Sequence, residues 1–219
     1  MVTLTLNGKK TECAGCYEEL KTRHYQHRDM LEQLSKPIVE RDHFKVFNIL
    51  IDGEFKSYHA TTENEVTIWN AIRWTVDQHF EFKDDVPKAL EINGKAIAIP
   101  NNMGALSIGQ NIHLRQILDK SKYLEENLSM ATAIYLQPMV DNSKFDFERA
   151  KELEKVIGEM PAYLIKPIGF FLLSHAMTSG KGQRNFLKRI LHNLSGRLKR
   201  MLPAWLSGKG SHHMQILAS

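Results

Sequence analysis

The sequence predicts an α+β protein, predominantly helical, in which two β-hairpin-plus-helices modules repeat and a basic amphipathic C-terminal helix follows them. Three observations carry this prediction. Leu4-x-Leu6-Asn7-Gly8-Lys9 returns as Leu90-x-Ile92-Asn93-Gly94-Lys95, and the interval of 86 residues between Asn7 and Asn93 persists beyond it, setting Leu20 on Leu106, His27 on His113, Leu31 on Ile117 and Leu50 on Leu136. Asn-Gly between two short runs is the strongest short-range hairpin signal, because both central residues of a type I′ turn need positive φ. Apolar residues then recur at three- and four-residue spacing, the period of an amphipathic helix.

The first module is expected over residues 2–82. Alternation in Val2–Leu6 and a second strand near Lys9–Cys13 form its hairpin around Asn7-Gly8. Tyr17–Ser35 lacks Pro and Gly and spaces Leu20, His24, Tyr25, His27, Leu31 and Leu34 as one helical stripe that stops before Pro37. A second helix is expected over Ile38–Ile51, with Phe44, Phe47 and Leu50 apolar, ending at Asp52-Gly53. A third follows Thr62-x-x-Glu65, a capping-box pattern, with Val66, Trp69, Ile72, Val76 and Phe80 on one face.

The second module is expected over 88–179. Leu90–Ile92, the Asn93-Gly94 turn and an alternating Lys95–Ile99 give its hairpin, closed by Pro100. Its helices are expected from about Leu106, with Ile108, Ile112, Ile117 and Leu118 apolar; from Tyr123 to Leu136, stopped by Pro138; and over the acid-rich Asp146–Met160. Pro161 and Pro167 frame an apolar segment around Met160–Met177, shorter than the ~20 residues a bilayer span needs and therefore expected as a buried core helix.

The net charge of +4 is unevenly placed. From Lys181 onward the chain carries basic residues and no acid, so this segment is a separate electrostatic object. Within 184–206, Leu187, Ile190, Leu191, Leu194, Leu198, Met201, Leu202 and Trp205 fall on one helical stripe, with Lys188, Arg189, Arg197, Lys199 and Arg200 on the other face. The stripe is a partner-binding surface by this argument, and the basic face suits a nucleic acid or another anionic surface. Residues 207–219 are expected as a flexible tail.

Cys13-x-x-Cys16 followed by His24-x-x-His27 supplies the ligand types and local spacings of structural zinc. The seven-residue spacer between Cys16 and His24 is shorter than a finger's ~12, and a helix from Tyr17 would carry His24 roughly 10 Å from the cysteines. The second copy has Ile99, Asn102, Gln110 and His113 at the corresponding positions, so one copy does without such a site. Two cysteines and the absence of an apolar leader after Met1 favour a reducing compartment. No Gly-x-Ser-x-Gly, His-Glu-x-x-His or dinucleotide fingerprint occurs, and Ser179-Gly180-Lys181-Gly182 lacks phosphate-loop spacing, so no catalytic residue is assigned and a non-enzymatic protein without a required cofactor is expected.

Leu4-x-Leu6-Asn7-Gly8-Lys9, the aromatic before Glu18-Glu19-Leu20, and Thr22 and Gln26 together resemble tailed-bacteriophage proteins of the tail assembly chaperone type. The second copy is similar, through Ile99-Pro100, Leu106–Ile112 and Ala131-x-Ala133-Ile134-Tyr135-Leu136-x-Pro138. The resemblance spans residues 2–175 and leaves the basic helix outside. It implies a non-enzymatic phage assembly protein, in the host cytoplasm or the virion, that binds other phage structural or tail proteins and could form homo-oligomers. The alternative is a zinc-stabilised nucleic-acid binder that uses Cys13, Cys16, His24 and His27 for the metal and the C-terminal basic face for phosphates.

Overall fold

In the computed structural model, which describes residues 1–55, 61–77, 86–99 and 106–178, both expected hairpins form with one geometry. β1 (Val2–Leu6) pairs antiparallel with β2 (Lys9–Cys13), and β3 (Ala89–Ile92) with β4 (Lys95–Ala98). Leu6 faces Lys9 and Ile92 faces Lys95, so the repeat interval holds residue for residue. Asn7 and Gly8 have φ of 50° and 76°, and Asn93 and Gly94 have 52° and 73°. These left-handed pairs are what a type I′ turn demands, and Asn and Gly adopt them at least cost. The pleat then turns Leu4 and Leu6 inward in one hairpin and Leu90 and Ile92 in the other.

Eight α-helices follow among the described residues. α1 (Thr22–Tyr25), α2 (Arg28–Ser35), α3 (His43–Leu50) and α4 (Thr62–Asp77) belong to the first module, and α5 (Ile108–Asp119), α6 (Leu128–Asp141), α7 (Phe147–Glu159) and α8 (Ala162–Thr178) to the second. Short 3-10 turns at Ile38–Glu40 and Leu124–Asn127 precede α3 and α6. The starts of α1 and α5, of these two turns, of α3 and α6, and of α4 and α7 all keep the 86-residue interval to within one residue. The element order of the first module is thus repeated, with the single α5 in place of α1 and α2 and with α8 added.

Several expected helices are divided or shifted. Tyr17–Ser35 is a 3-10 turn (Tyr17–Glu19), then α1, then α2, because Leu20 and Lys21 stay extended (ψ 114° and 148°) to pair with a distant segment. His27 makes the second break as the N-cap of α2, its Nδ1 accepting from the Asp29 amide. Ile38–Ile51 is likewise divided by Asp42, whose carboxylate caps α3 by accepting from the Phe44 and Lys45 amides. The cap of α4 is Thr61, which accepts from the Asn64 amide, so the Thr62–Glu65 box does not form. Ile68, Ala71, Ile72, Trp74 and Thr75 form its buried face, while Val66 and Trp69 are exposed. α6 passes through Pro138 to Asp141, and α5 buries the expected Leu118 but has Gln110 and Leu114 inside in place of Ile108 and Ile112.

The core lies around α6, which buries Leu128, Ser129 and every residue from Ala131 to Gln137. α7 and α8 pack on it, and at Gly169 the approach is at backbone distance: a Cβ there would lie 2.8 Å from a Leu128 methyl and 3.0 Å from its Cα. No described helix is long and apolar enough to cross a membrane.

The two modules meet along a polar seam within one compact unit, Met1–Ser179. The Thr22 amide donates to the Met160 carbonyl at 2.8 Å, and the Ala162 amide to the Leu20 carbonyl at 2.7 Å. The Thr22 hydroxyl donates to the same Met160 carbonyl, the Ser129 amide donates to Gln26 Oε1, and Arg28 reaches Glu126 at 2.9 Å. A half-buried strand segment with its own partner therefore explains the interruption of the first expected helix: backbone pairing outweighs local helix preference.

Candidate functional site

Within the first module lies a cleft of about 500 Å³, lined by α1, the start of α2, α3 and the turn after it. Its floor is set by the turn after α3, where Asp52 takes φ of 51° and so folds its carboxylate back toward α1. Both guanidinium ends of Arg23 hydrogen-bond that carboxylate, and His24 Nε2 lies 3.0 Å from Oδ1. Arg23 also pairs with Glu159, as Lys21 does at 2.8 Å, so the charge network continues across the seam into α7. His27, Lys45 and Asn48 also line the cleft. Asn48 is committed to structure: its side-chain oxygen accepts from the Phe55 amide at 2.7 Å and its nitrogen donates to the Phe55 carbonyl.

Protonation follows from this geometry. Burial pushes the His24 imidazole down from its ordinary value, against the opposing pull of Asp52. His24 Nδ1 is buried with no hydrogen-bond partner, so the neutral tautomer with its proton on Nε2 donates to Asp52 and leaves only an acceptor unmatched. The Arg23 hydrogen bonds hold Asp52 below the usual carboxylate range, and the Lys21 hydrogen bond does the same for Glu159. A His–Asp pair of this kind activates a nucleophile only where one is within reach. The lining residues are Arg23, His24, His27, Asp29, Lys45, Asn48, Ile49, Asp52 and Gly53, with no hydroxyl or thiol among them. Here the pair orients α1 against α3.

Of the four residues considered for zinc, His24 and His27 share the cleft and the two cysteines lie elsewhere. Cys13 is fully buried at the end of β2, and Cys16 is half-buried at the entry to the following turn. Burial raises both thiols above their ordinary value, which favours the protonated form over the thiolate that binds metal. His27 spends Nδ1 on the α2 cap. No three His, Cys, Asp or Glu side chains among the described residues converge as metal ligands. These donors do not fit a shared ion in this arrangement. The C-terminal set, Leu187, Ile190, Leu191, Leu194, Leu198, Leu202 and Trp205 with Lys188, Arg189, Arg197, Lys199 and Arg200, lies outside the described residues.

A second kind of surface is apolar. Ile108 is 81 % exposed and Ile112 is 49 % exposed on α5, while on α4 Val66 is 54 % exposed and Trp69 is 37 % exposed. Trp69 stands edge-on to the His43 ring at 6.0 Å. Sequence periodicity counts all four among the apolar positions of their helices without showing that they are exposed, and it misses Asp52 and Arg23, whose chemistry depends on residues distant in the chain. No known protein family, curated protein or solved structure matches this chain.

Proposed function

We propose that the protein is a non-enzymatic component of bacteriophage tail or virion assembly, acting through protein–protein contact as a tail assembly chaperone or as part of the particle. The observation that carries this reading is the exposure of large apolar side chains on regular helices, Ile108 and Ile112 on α5 and Val66 and Trp69 on α4. Rigid helical elements that present apolar residues to solvent favour partner binding. The phage context rests on the resemblance of the hairpin and helix pattern in residues 2–175, and it implies work in the host cytoplasm or the virion. In this reading the basic segment 184–206 adds a contact to a nucleic acid, an anionic surface or a partner groove.

Mass spectrometry of purified particles made from the genome that encodes this chain, together with co-purification on the tagged full-length protein, tests the proposal. A structural part appears in the particle at a fixed copy number. A chaperone is absent from the particle and co-purifies with tail proteins from the infected cell. Absence from both removes the assembly role. Deleting residues 181–219 in the same experiment separates the tail's contribution, since unchanged partner recovery takes that segment out of the mechanism.

A further inference from the structure

Each hairpin turns on an Asn-Gly pair, the dipeptide in which the asparagine side chain is most open to attack by the next main-chain nitrogen. Glycine has no Cβ to shield that nitrogen. In everything local the two copies are alike. φ is 50° and 76° at Asn7-Gly8 and 52° and 73° at Asn93-Gly94. Both asparagines are exposed, and a Cβ added to either glycine would meet nothing within 4 Å. Backbone shape and solvent access therefore give the two turns one intrinsic reactivity.

They differ in what holds the asparagine side chain. Asn7 Oδ1 accepts at 2.7 Å from Asn64 Nδ2, on α4. The donor is fixed in place: Asn64 is buried, its main-chain amide donates to the Thr61 hydroxyl, and β1 packs against α4. One interval on, the place of Asn64 is taken in α7 by Ala150, whose side chain has no donor. Asn93 makes no side-chain hydrogen bond among the described residues. The second copy thus keeps the turn and omits its restraint.

We propose that Asn93 is a site of spontaneous modification, converting to aspartate and isoaspartate, while Asn64 protects Asn7 from the same reaction. The Gly94 nitrogen gives up its proton and bonds to Asn93 Cγ; the Cγ–Nδ2 bond breaks, ammonia leaves and a succinimide ring closes. Water then opens the ring. Its addition at Cγ gives aspartate, and its addition at the main-chain carbonyl carbon gives isoaspartate, in which the chain runs through Cβ and Cγ. Ring closure needs the side chain to swing over the glycine nitrogen. At Asn7 that swing must first break the bond to Asn64, and at Asn93 it breaks none. The two products act differently on the fold. Asp-Gly still suits a type I′ turn, whereas isoaspartate lengthens the main chain of a two-residue loop whose register turns Leu90 and Ile92 inward. The isoaspartyl form is the one that loosens the second hairpin, and its carboxylate is a substrate for an isoaspartyl methyltransferase.

Incubating the full-length protein at mildly alkaline pH, digesting samples in acid and following the two turn peptides by mass spectrometry tests this. Asn93 converts faster than Asn7 by about fivefold or more, the weight of one net hydrogen bond. In guanidinium chloride, where neither turn is held, the two rates converge. Asn64→Ala, which copies Ala150, accelerates Asn7 by the same factor and leaves Asn93 unchanged. Circular dichroism melts check folding, and Asn64→Asp, which keeps the shape of the side chain and cannot donate when ionised, serves if the alanine variant unfolds. The converted Asn93 peptide accepts methyl groups from S-adenosylmethionine through an isoaspartyl methyltransferase. Equal rates for Asn7 and Asn93 in the folded wild type overturn the proposal, as does an Asn7 rate that a folded Asn64 variant leaves slow. Incubation that converts neither asparagine also overturns it. So does a converted Asn93 peptide that accepts no methyl groups, since that result means direct hydrolysis without ring closure.

Discussion

Gln110 carries its side-chain nitrogen to 2.8 Å from the main-chain carbonyl of Ile134. Pro138 lies four residues beyond that carbonyl inside α6 and has no N–H to offer it. The buried amide of Gln110 thus takes the place of the missing helical hydrogen bond, which is how α6 runs through a proline to Asp141. Gln110→Leu removes the replacement and leaves the carbonyl unsatisfied, at an expected cost of about 1–3 kcal/mol. Pro138→Ala restores a backbone donor, so the same Gln110 change costs less in that background. Urea unfolding of the four combinations measures the coupling. Simple additivity would show that Gln110 contributes nothing through this carbonyl.

His24 links stability to pH. Its folded value is depressed by burial, so between that value and the ordinary ~6.5 the folded protein binds fewer protons than the unfolded chain. The contribution to stability is full above about 6.5, declines as pH falls through this window and levels off below the folded value. His24→Gln, which copies Gln110 of the second module, removes that decline. Asp52 and Glu159 are shifted down by their cationic partners and give a separate loss at lower pH, through and below the ordinary carboxylate range, in both proteins. Urea midpoints that run parallel for wild type and variant between about pH 7 and pH 5 would exclude His24 as the linked group.

How much of this was legible in the sequence depends on the range of the interactions. The hairpins were legible because Asn7-Gly8 and Asn93-Gly94 encode their turns within two residues, and positive φ is a local demand. The ends of α7 were also legible, since Asp146 caps it from two residues away. The Tyr17–Ser35 helix was misjudged because its breaks come from Met160 and Ala162, some 140 residues on, and from a histidine acting as a cap. Pro138 looked like a stop because its compensating partner, Gln110, sits on another helix. The cleft shared this limit: His24 was visible as a candidate ligand, but its partner Asp52 reads in sequence only as the residue before a glycine.

Two helical glycines should respond oppositely to alanine. At Gly169 an added Cβ meets Leu128 at 2.8 Å and its backbone at 3.0 Å, so α8 must move away from α6. Gly169→Ala is expected to destabilise by about 1–3 kcal/mol, more than the ~0.5–1 kcal/mol that alanine adds in a helix. At Gly158 the nearest atom is Arg23 Cβ at 3.5 Å, an ordinary contact. Gly158→Ala is expected to stabilise by up to about 1 kcal/mol. Thermal melts of the pair decide the matter, and a stabilised Gly169→Ala would mean that α8 is not held at backbone distance.

Glu125 and Lys166 are both nearly buried beneath the seam, on the 3-10 turn before α6 and on α8. Lys166 Nζ lies 5.1 Å from the ring centre of Tyr25 and 5.5 Å from that of Phe170, so the ammonium has aromatic faces as well as the carboxyl to offset its lost water. Burial lifts the Glu125 carboxyl above its ordinary value, and the ammonium opposes that shift. A raised carboxyl makes the folded state bind more protons than the unfolded one between the ordinary ~4.3 and the folded value, so stability falls as pH rises through that window. Replacing Lys166 by Met removes the opposing charge, moves the upper edge of the window higher and leaves a buried carboxylate without compensation. The expected cost at neutral pH is about 3–5 kcal/mol. Glu125→Gln in the Lys166→Met background should recover most of it, because no buried charge remains, whereas Glu125→Gln alone should cost less than Lys166→Met, the lysine keeping its two rings. Chemical denaturation of the single and double variants near neutral pH and near pH 4 measures each term. A Lys166→Met variant that loses no more at neutral pH than in acid would show that the two charges do not act on each other.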